Sequence, residues 1–358
     1  MRVLYFGTYE REYPRNAQVI SCLRRAGVEV EERHVAVWDG RRDSWRAGAG
    51  AAARLALAEL RLLRRPTADF EALLVGYPGH LDLPAARRAA GGRPVIFNPL
   101  VSLFDTFVVD RGRFRPGAPA ARALAEVDRR ALRAADLVVA DTRANAQHLA
   151  ALGGIPREQI EVALVGAEER VFTPGWSPRE PLTVLFVGKL IPLHGLETVL
   201  AAARAASELR FRLVGSGQLE ELVRGRPGNV DWVPWVEYER LGDELHRVAC
   251  ALGIFGTSAK AARVIPNKAF QALACGTPLV TADTPASREL LVDGESALLV
   301  PPGDPTALAA ALRRLAADPE LASRIGAGGR AAYEALASED VLGRRWRELI
   351  ERAVAQAG

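Results

Sequence analysis

Three lysines, Lys189, Lys260 and Lys268, stand among 47 basic residues of which the other 44 are arginine, and all three fall in the second half of a 358-residue chain. At most solvated positions the two residue types exchange freely. Where a single phosphate oxygen must be met at close quarters, a rigid five-donor fork cannot replace a compact ammonium. The three lysines therefore mark a candidate anion site, unless an arginine-biased composition left them there by chance.

Lys189 closes the run Phe186-Val187-Gly188-Lys189, which reads as a strand end, and Leu190 to Gly195 then lead through His194 into a helix expected from about Leu196. Gly188 permits backbone to approach a ligand. Lys189 and His194 flank a helix N-terminus, whose N–H groups and dipole favour anions. A diphosphate fits that arrangement, and so does an ordinary strand-to-helix turn with incidental side chains. Leu213-Val214-Gly215-Ser216-Gly217 repeats the pattern of strand, glycine pair and helix, which a tight turn explains equally well.

The segment from Lys260 to Pro278 is the most specific. Pro266 suits a first helical turn that presents Asn267, Lys268 and backbone N–H groups, while Gly276 and Pro278 stop the helix. One turn beyond Lys268, on the same face, Gln271 carries a donor and an acceptor suited to a pair of ribose hydroxyls.

Such motifs need strands to deliver them. Short apolar runs alternate with amphipathic helical patterns, the signature of parallel strands joined by crossover helices, so the fold is expected to be α/β. In the first half, Arg2–Phe6, Val28–Val35, Ala72–Val75, Pro94–Phe97 and Leu137–Ala140 read as strands, and Pro14–Ala26 as a helix. A second series comprises Thr183–Val187, Arg210–Val214, Ala251–Phe255, Leu279–Ala282 and Ala297–Val300, and two or three helices close the chain near residue 355. Between the two series, residues 173–182 carry three prolines and no period. The expected organisation is a first domain over 1–172, that linker, a second domain over 183–338 and a closing helix over 339–358 directed back toward the first domain. Ligands bind at the carboxyl ends of open parallel sheets, so the site is expected in a cleft where two such sets of ends face each other.

Size and composition agree with this reading. A chain of 358 residues exceeds the length at which one core keeps growing. Cys22, Cys250 and Cys275 lack C-x-x-C spacing or histidine partners, which argues for a reducing compartment and against a structural zinc or a disulfide framework. The N-terminus enters a strand pattern with no basic leader or cleavage site, and no apolar run approaches the ~20 residues of a membrane span. The expected location is cytoplasmic. A net charge of +4 with interspersed acidic residues suits anionic small molecules or a membrane surface better than nucleic acid, which calls for a denser basic stripe. Residues 51–65 place Arg54, Arg61, Arg64 and Arg65 among five leucines, either as a soluble surface helix or as a basic amphipathic helix on the inner face of an anionic membrane.

The ordered set GKLIPLHG, LVGSGQ, NVDWVPWV, IPNKAFQALACGTPLV and RELLVDGESALLVPPGDP resembles the family 4 glycosyltransferases, and ADLVVADT with LVGAEERVFTP extends the resemblance into the first half. It implies the GT-B fold of two Rossmann-like domains. It also implies transfer of a hexosyl group, with retention and without metal, from a nucleotide diphosphate sugar to a hydroxyl of a glycan or lipid-linked acceptor. The donor expected is a UDP- or GDP-sugar, a co-substrate and not a bound cofactor.

By the same resemblance, Lys189 meets the donor diphosphate where the family usually has arginine, and His194 stands where it has lysine. Gln271 falls at the second of two glutamates eight apart, the one that holds the ribose, and Arg263 falls at the first, near sugar and phosphate, so neither position supplies a carboxylate. Trp235 and Val236 match the segment lining the nucleobase. Asn98 occupies the place of a histidine near the reacting centre and cannot act as acid or base. Ser102, Asp105 and the Gly79-His80 pair are the substitutes. Gly7, with Arg15 and Asn16 at the following helix start, matches the loop that closes over donor phosphate and acceptor. Catalysis would rest on stabilising the departing diphosphate, a role for Lys189, His194, Lys268 and Arg263, with a leaving phosphate oxygen taking the acceptor proton. The missing glutamates leave two other classes in view: a sugar-nucleotide epimerase or hydrolase on the same architecture, and a binding-only member without turnover.

Overall fold

The computed structural model describes residues 1–11, 13–37, 49–64 and 69–357. Their contacts divide the chain into two units, Met1–Val165 with Glu339–Gly358, and Gly166–Ser338. The proline-rich stretch 173–182 lies inside the second of these, where the N–H groups of Gly175 and Trp176 both donate to the Cys275 carbonyl at 3.3 Å.

In the first unit, β1 (Arg2–Gly7), β2 (Glu29–His34), β3 (Ala72–Val75), β4 (Val95–Phe97), β5 (Leu137–Ala140) and β6 (Ile160–Val162) form one parallel sheet in the order β2-β1-β3-β4-β5-β6. Both faces of this sheet are covered. Leu4 and Phe6 of β1 pack with Leu73, Val75 and Phe97, whereas Val3 and Tyr5 pack with Val19, Leu23 and Leu74 on the opposite side. Strands buried on two faces read as continuous apolar runs, which is what makes VLYF, ALLV and LVVA legible. The helix Pro14–Arg25 packs against the closing helix Glu339–Ala357. Trp346 is fully buried there, and a Cβ added at Gly343 would fall 2.5 Å from the Cys22 carbonyl oxygen, so the two helices touch through backbone.

In the second unit, β7 (Glu180–Val187), β8 (Arg210–Val214), β9 (Val230–Val233), β10 (Val248–Leu252), β11 (Leu279–Ala282) and β12 (Leu298–Val300) form a second parallel sheet in the order β12-β11-β10-β7-β8-β9. Winding reverses between β7 and β10. A doubly wound sheet opens its ligand crevice at the carboxyl ends of the strands flanking that reversal.

Three strands depart from the sequence reading. β10 spans Val248–Leu252 and not Ala251–Phe255. VACALGIF is apolar throughout, so no period marks its ends, and the chain leaves the ladder at Gly253, where a Cβ would lie 2.2 Å from Thr281 Oγ1. β6 and β9 are only 3 and 4 residues long and carry Glu161 and Asp231, so neither registers as an apolar run.

The helix Ala49–Leu62 buries Ala58 and Leu62 and leaves Leu57 and Leu60 exposed at 57% and 62%, beside the exposed Arg54, Arg61 and Arg64. Arg65 lies outside the described residues. Among those residues no helix is long and apolar enough to cross a membrane.

Candidate functional site

β7 ends at Val187, and Gly188 follows with φ +145°. At the end of β8, Gly215 has φ +144° and sits so close to this turn that a Cβ would fall 1.9 Å from the Gly188 carbonyl oxygen. A Cβ on Gly217 would likewise lie 2.7 Å from the Leu190 carbonyl oxygen. The two strand ends meet backbone to backbone, and a residue with a side chain would push them apart.

Lys268 and His194 converge on the same point. A Cβ on Gly188 would lie 3.1 Å from Lys268 Nζ and 3.2 Å from His194 Cε1. The ammonium rests 3.5 Å from the centroid of the Phe186 ring, and His194 packs edge-on to that ring at 5.8 Å. His194 Nδ1 lies 2.6 Å from the Lys189 carbonyl oxygen, so Nδ1 carries a proton and donates it there. Lys189 thus contributes its backbone to the site, and its side chain is exposed.

Lys268 is only 8% exposed, and its Nζ is buried with no hydrogen-bond acceptor. Burial alone pushes its pKa well below the usual lysine range. A buried ammonium without a counter-charge is costly until an anion arrives. Between the lowered folded pKa and the ~10.4 of an exposed lysine, the unfolded chain holds a proton that the folded protein lacks, so stability rises with pH across that window. An anion at Nζ restores the proton. Above the folded pKa, inorganic pyrophosphate should therefore bind with uptake of one proton more in the natural protein than in Lys268→Met, as calorimetry in two buffers of different ionisation heat would register. Equal uptake in both proteins would place the anion elsewhere.

Two helices begin around this point without a capping side chain. Asn267–Cys275 follows Pro266 and ends at Gly276 in the left-handed region, and Leu196–Ala205 follows Gly195, itself left-handed at φ 67°. Their first N–H groups have no side-chain partner to satisfy them. Gln271, on the same helix as Lys268, is buried. Arg263 closes a single 3₁₀ turn, Ala261–Arg263, and Lys260 is buried. Trp235 is 48% exposed, with its Nε1 donating to Glu237 at 3.3 Å, and Val236 beside it is half-buried.

The first-unit candidates are mostly enclosed by their own domain. Gly7, φ +127°, ends β1 against Asp82, whose Oδ2 a Cβ would approach to 2.1 Å. Arg15 is fully buried: Nε and one terminal nitrogen donate to Asn98 Oδ1 at 3.2 and 3.1 Å, and the carbonyls of Leu164 and Ala163 accept at 2.7 and 3.1 Å. Asn16 accepts from the Tyr5 hydroxyl at 2.8 Å and donates to the Glu10 and Tyr77 carbonyls, each at 2.8 Å. Expected to meet substrate, these two side chains instead brace the loop, because their hydrogen-bonding groups are committed to protein atoms.

Ser102 and His80 require the same correction. The Ser102 hydroxyl donates to Asp128 at 2.9 Å, and His80 Nε2 lies 3.3 Å from the same buried carboxylate, which also accepts the Leu103 and Phe104 N–H groups. Burial lowers the His80 pKa despite Asp128, so the ring is a neutral element of the core. Asp105 stands 2.8 Å from His148, a partly exposed residue on the helix Arg143–Gly153 that follows β5. His148 is not among the residues picked from the sequence. Its only signal there is its place on the helix after ADLVVADT. Asn98 keeps a buried Nδ2 without a partner, and nearby Leu100 has φ +60°, held by Asn145 Nδ2 donating to its carbonyl at 3.1 Å. Left-handed backbone at a leucine costs about 1–3 kcal/mol and is found where function or packing demands it. Among the described residues no three His, Cys, Asp or Glu side chains converge as a metal site would require.

Residues 181–318 match the family described as glycosyl transferases group 1. The chain is 33% identical over 241 residues to a D-inositol 3-phosphate glycosyltransferase from Acidothermus cellulolyticus, covering 59% of this chain and 51% of that protein. It is 33% identical over 162 residues to a phosphatidyl-myo-inositol mannosyltransferase from Mycobacterium leprae, covering 42% of each. The chain thus spans 51% and 42% of the length of these two relatives. Among solved structures, sucrose-phosphate synthase from Thermosynechococcus elongatus superimposes with a TM-score of 0.77 at 18% identity over 99% of both chains. HepE from Anabaena, solved in complex with UDP and glucose, does so with a TM-score of 0.72 at 14% identity over 98% of this chain and 100% of its own.

Proposed function

We propose, from the match of residues 181–318 to the glycosyl transferases group 1 family and from the GT-B fold, that the chain moves a hexosyl group from a nucleotide diphosphate sugar to an acceptor hydroxyl. The observation that carries this reading is the Lys268 ammonium, buried, without an acceptor, and set against Gly188 beside His194. A departing diphosphate gains negative charge as the sugar becomes cationic. Donors fixed in a water-poor site before the reaction stabilise that charge without having to reorganise. Lys268, with two uncapped helix N-termini beside it, supplies such donors, with no step that needs a metal.

The donor is a UDP- or GDP-sugar, and the acceptor hydroxyl belongs to a glycan or lipid-linked saccharide. The configuration at the sugar is retained, and the acceptor proton passes to a leaving phosphate oxygen, since Asn98 has no base to offer. The reaction takes place in the cytoplasm. Contact with the inner face of a membrane runs through the helix Ala49–Leu62, whose exposed leucines and arginines suit anionic lipid.

A thermal-shift screen of UDP-, GDP-, ADP- and dTDP-sugars tests the donor. The cognate compound should raise the melting temperature, because a ligand that binds only the folded state stabilises it. Nucleotide release should then require an added acceptor. Release at the same rate without one would replace transfer with hydrolysis.

A further inference from the structure

Two tryptophans, Trp176 and Trp232, pack against the core of the second unit, and the indole Nε1–H of each donates to a backbone carbonyl at 2.8 Å. Trp176 holds the carbonyl of Val248, the first residue of β10, at the amino end of that strand. Trp232, on β9, holds the carbonyl of Gly215, just past the carboxyl end of β8. The second bond therefore reaches the turn that lies against Gly188, and the first does not. The Gly215 carbonyl and the Ser216 N–H belong to one trans peptide, so they point in opposite directions. β8 has β9 on one side and β7 on the other, so the Ser216 N–H turns away from β9, toward the side on which β7 ends at Gly188. Among the described residues that N–H has no acceptor. Its neighbours are all committed: the Gly215 N–H donates to the Val233 carbonyl at 2.9 Å, the Ser216 carbonyl accepts from the Leu190 N–H at 2.9 Å, and the Gly217 N–H donates to Glu220 Oε1 at 2.8 Å. A peptide beside a glycine turns over easily, and the Trp232 bond fixes the direction of this one.

We infer that Trp232 is a positioning residue, which aims the Ser216 N–H at a phosphate oxygen of the diphosphate bound at Gly188. A backbone N–H of fixed direction suits an anion here for the same reason as at a helix N-terminus. The inference rests on the diphosphate reading above, and the two can fail separately. Trp232→Phe keeps an aromatic ring in the core and removes the N–H. Trp176→Phe makes the same loss of ring and hydrogen bond at the amino end of β10, and so reports what that loss does to the fold alone.

The test is isothermal titration of inorganic pyrophosphate into the natural protein, Trp232→Phe, Trp176→Phe and Lys268→Ala. Trp232→Phe should bind it roughly tenfold more weakly than the natural protein, the worth of one hydrogen bond to a charged group, and Trp176→Phe within about twofold of it. A folded Trp232→Phe with natural affinity would overturn the inference, and would leave the diphosphate reading standing if Lys268→Ala binds more weakly. Equal losses in the two tryptophan variants would also overturn it, since a merely structural role has that consequence. Should Trp232→Phe not fold, the Ser216 amide proton in the magnetic resonance spectrum of the isotope-labelled natural protein decides. Pyrophosphate should move it downfield, as a hydrogen bond to phosphate does, and an unmoved resonance would overturn the inference. A natural protein that does not bind pyrophosphate would overturn the diphosphate reading and the inference with it.

Discussion

Lys268→Ala should lower kcat/KM by roughly 10²-fold, the usual effect of removing one preorganised donor from a site where charge develops, and Lys268→Arg should not restore it. The argument for the second half is steric as well as electrostatic. Lys268 Nζ and Cε lie 3.1 and 3.2 Å from where a Cβ on Gly188 would be, with the Phe186 ring 3.5 Å away on another side. A planar guanidinium is broader than an ammonium and presents a fork where a point charge is needed. Stability should move little or in the opposite direction, because in the free protein the buried ammonium has no hydrogen-bond acceptor. Steady-state kinetics with the cognate donor, beside a melting curve for each variant, separates the two effects. Wild-type turnover in Lys268→Arg would remove the explanation given for the lysines.

Gly215→Ala should cost about 3 kcal/mol or more in stability, the sum of an overpacked contact and a left-handed backbone. Its Cβ would fall 1.9 Å from the Gly188 carbonyl oxygen, and both atoms belong to strand ends pinned by their ladders, so neither side can yield cheaply. The control is Gly276→Ala in the same unit, where φ is +73° but nothing lies within 4 Å of the added carbon. That change should cost only the ~1–2 kcal/mol of the left-handed conformation itself. Urea denaturation followed through the second unit would measure both. Similar losses at the two positions would mean that the backbone contact of Gly215 adds nothing.

The sequence is most readable where chemistry and local conformation coincide. The helix Asn267–Cys275, with Pro266 before it, Gly276 after it and Lys268 in its first turn, is legible because start, stop and charge are all encoded within a dozen residues. The strands delivering Gly188 and Gly215 are legible for the same reason, being apolar runs that end at glycine. What stayed hidden depends on partners far away in the chain. Arg15 looks like a ligand residue at a helix start, and only the fold places Asn98 and the 163–164 carbonyls around its guanidinium. His80 and Ser102 look like replacements for a missing histidine until Asp128, on a helix of its own, is seen to hold both.

The most direct measurement is a crystal structure of the chain with UDP, or with GDP if that is the nucleotide that raises its melting temperature. The expected result is diphosphate density over Gly188, within hydrogen-bond reach of Lys268 Nζ and beside His194. Density with both phosphates away from Lys268 would contradict the assignment of that buried lysine as the leaving-group cation.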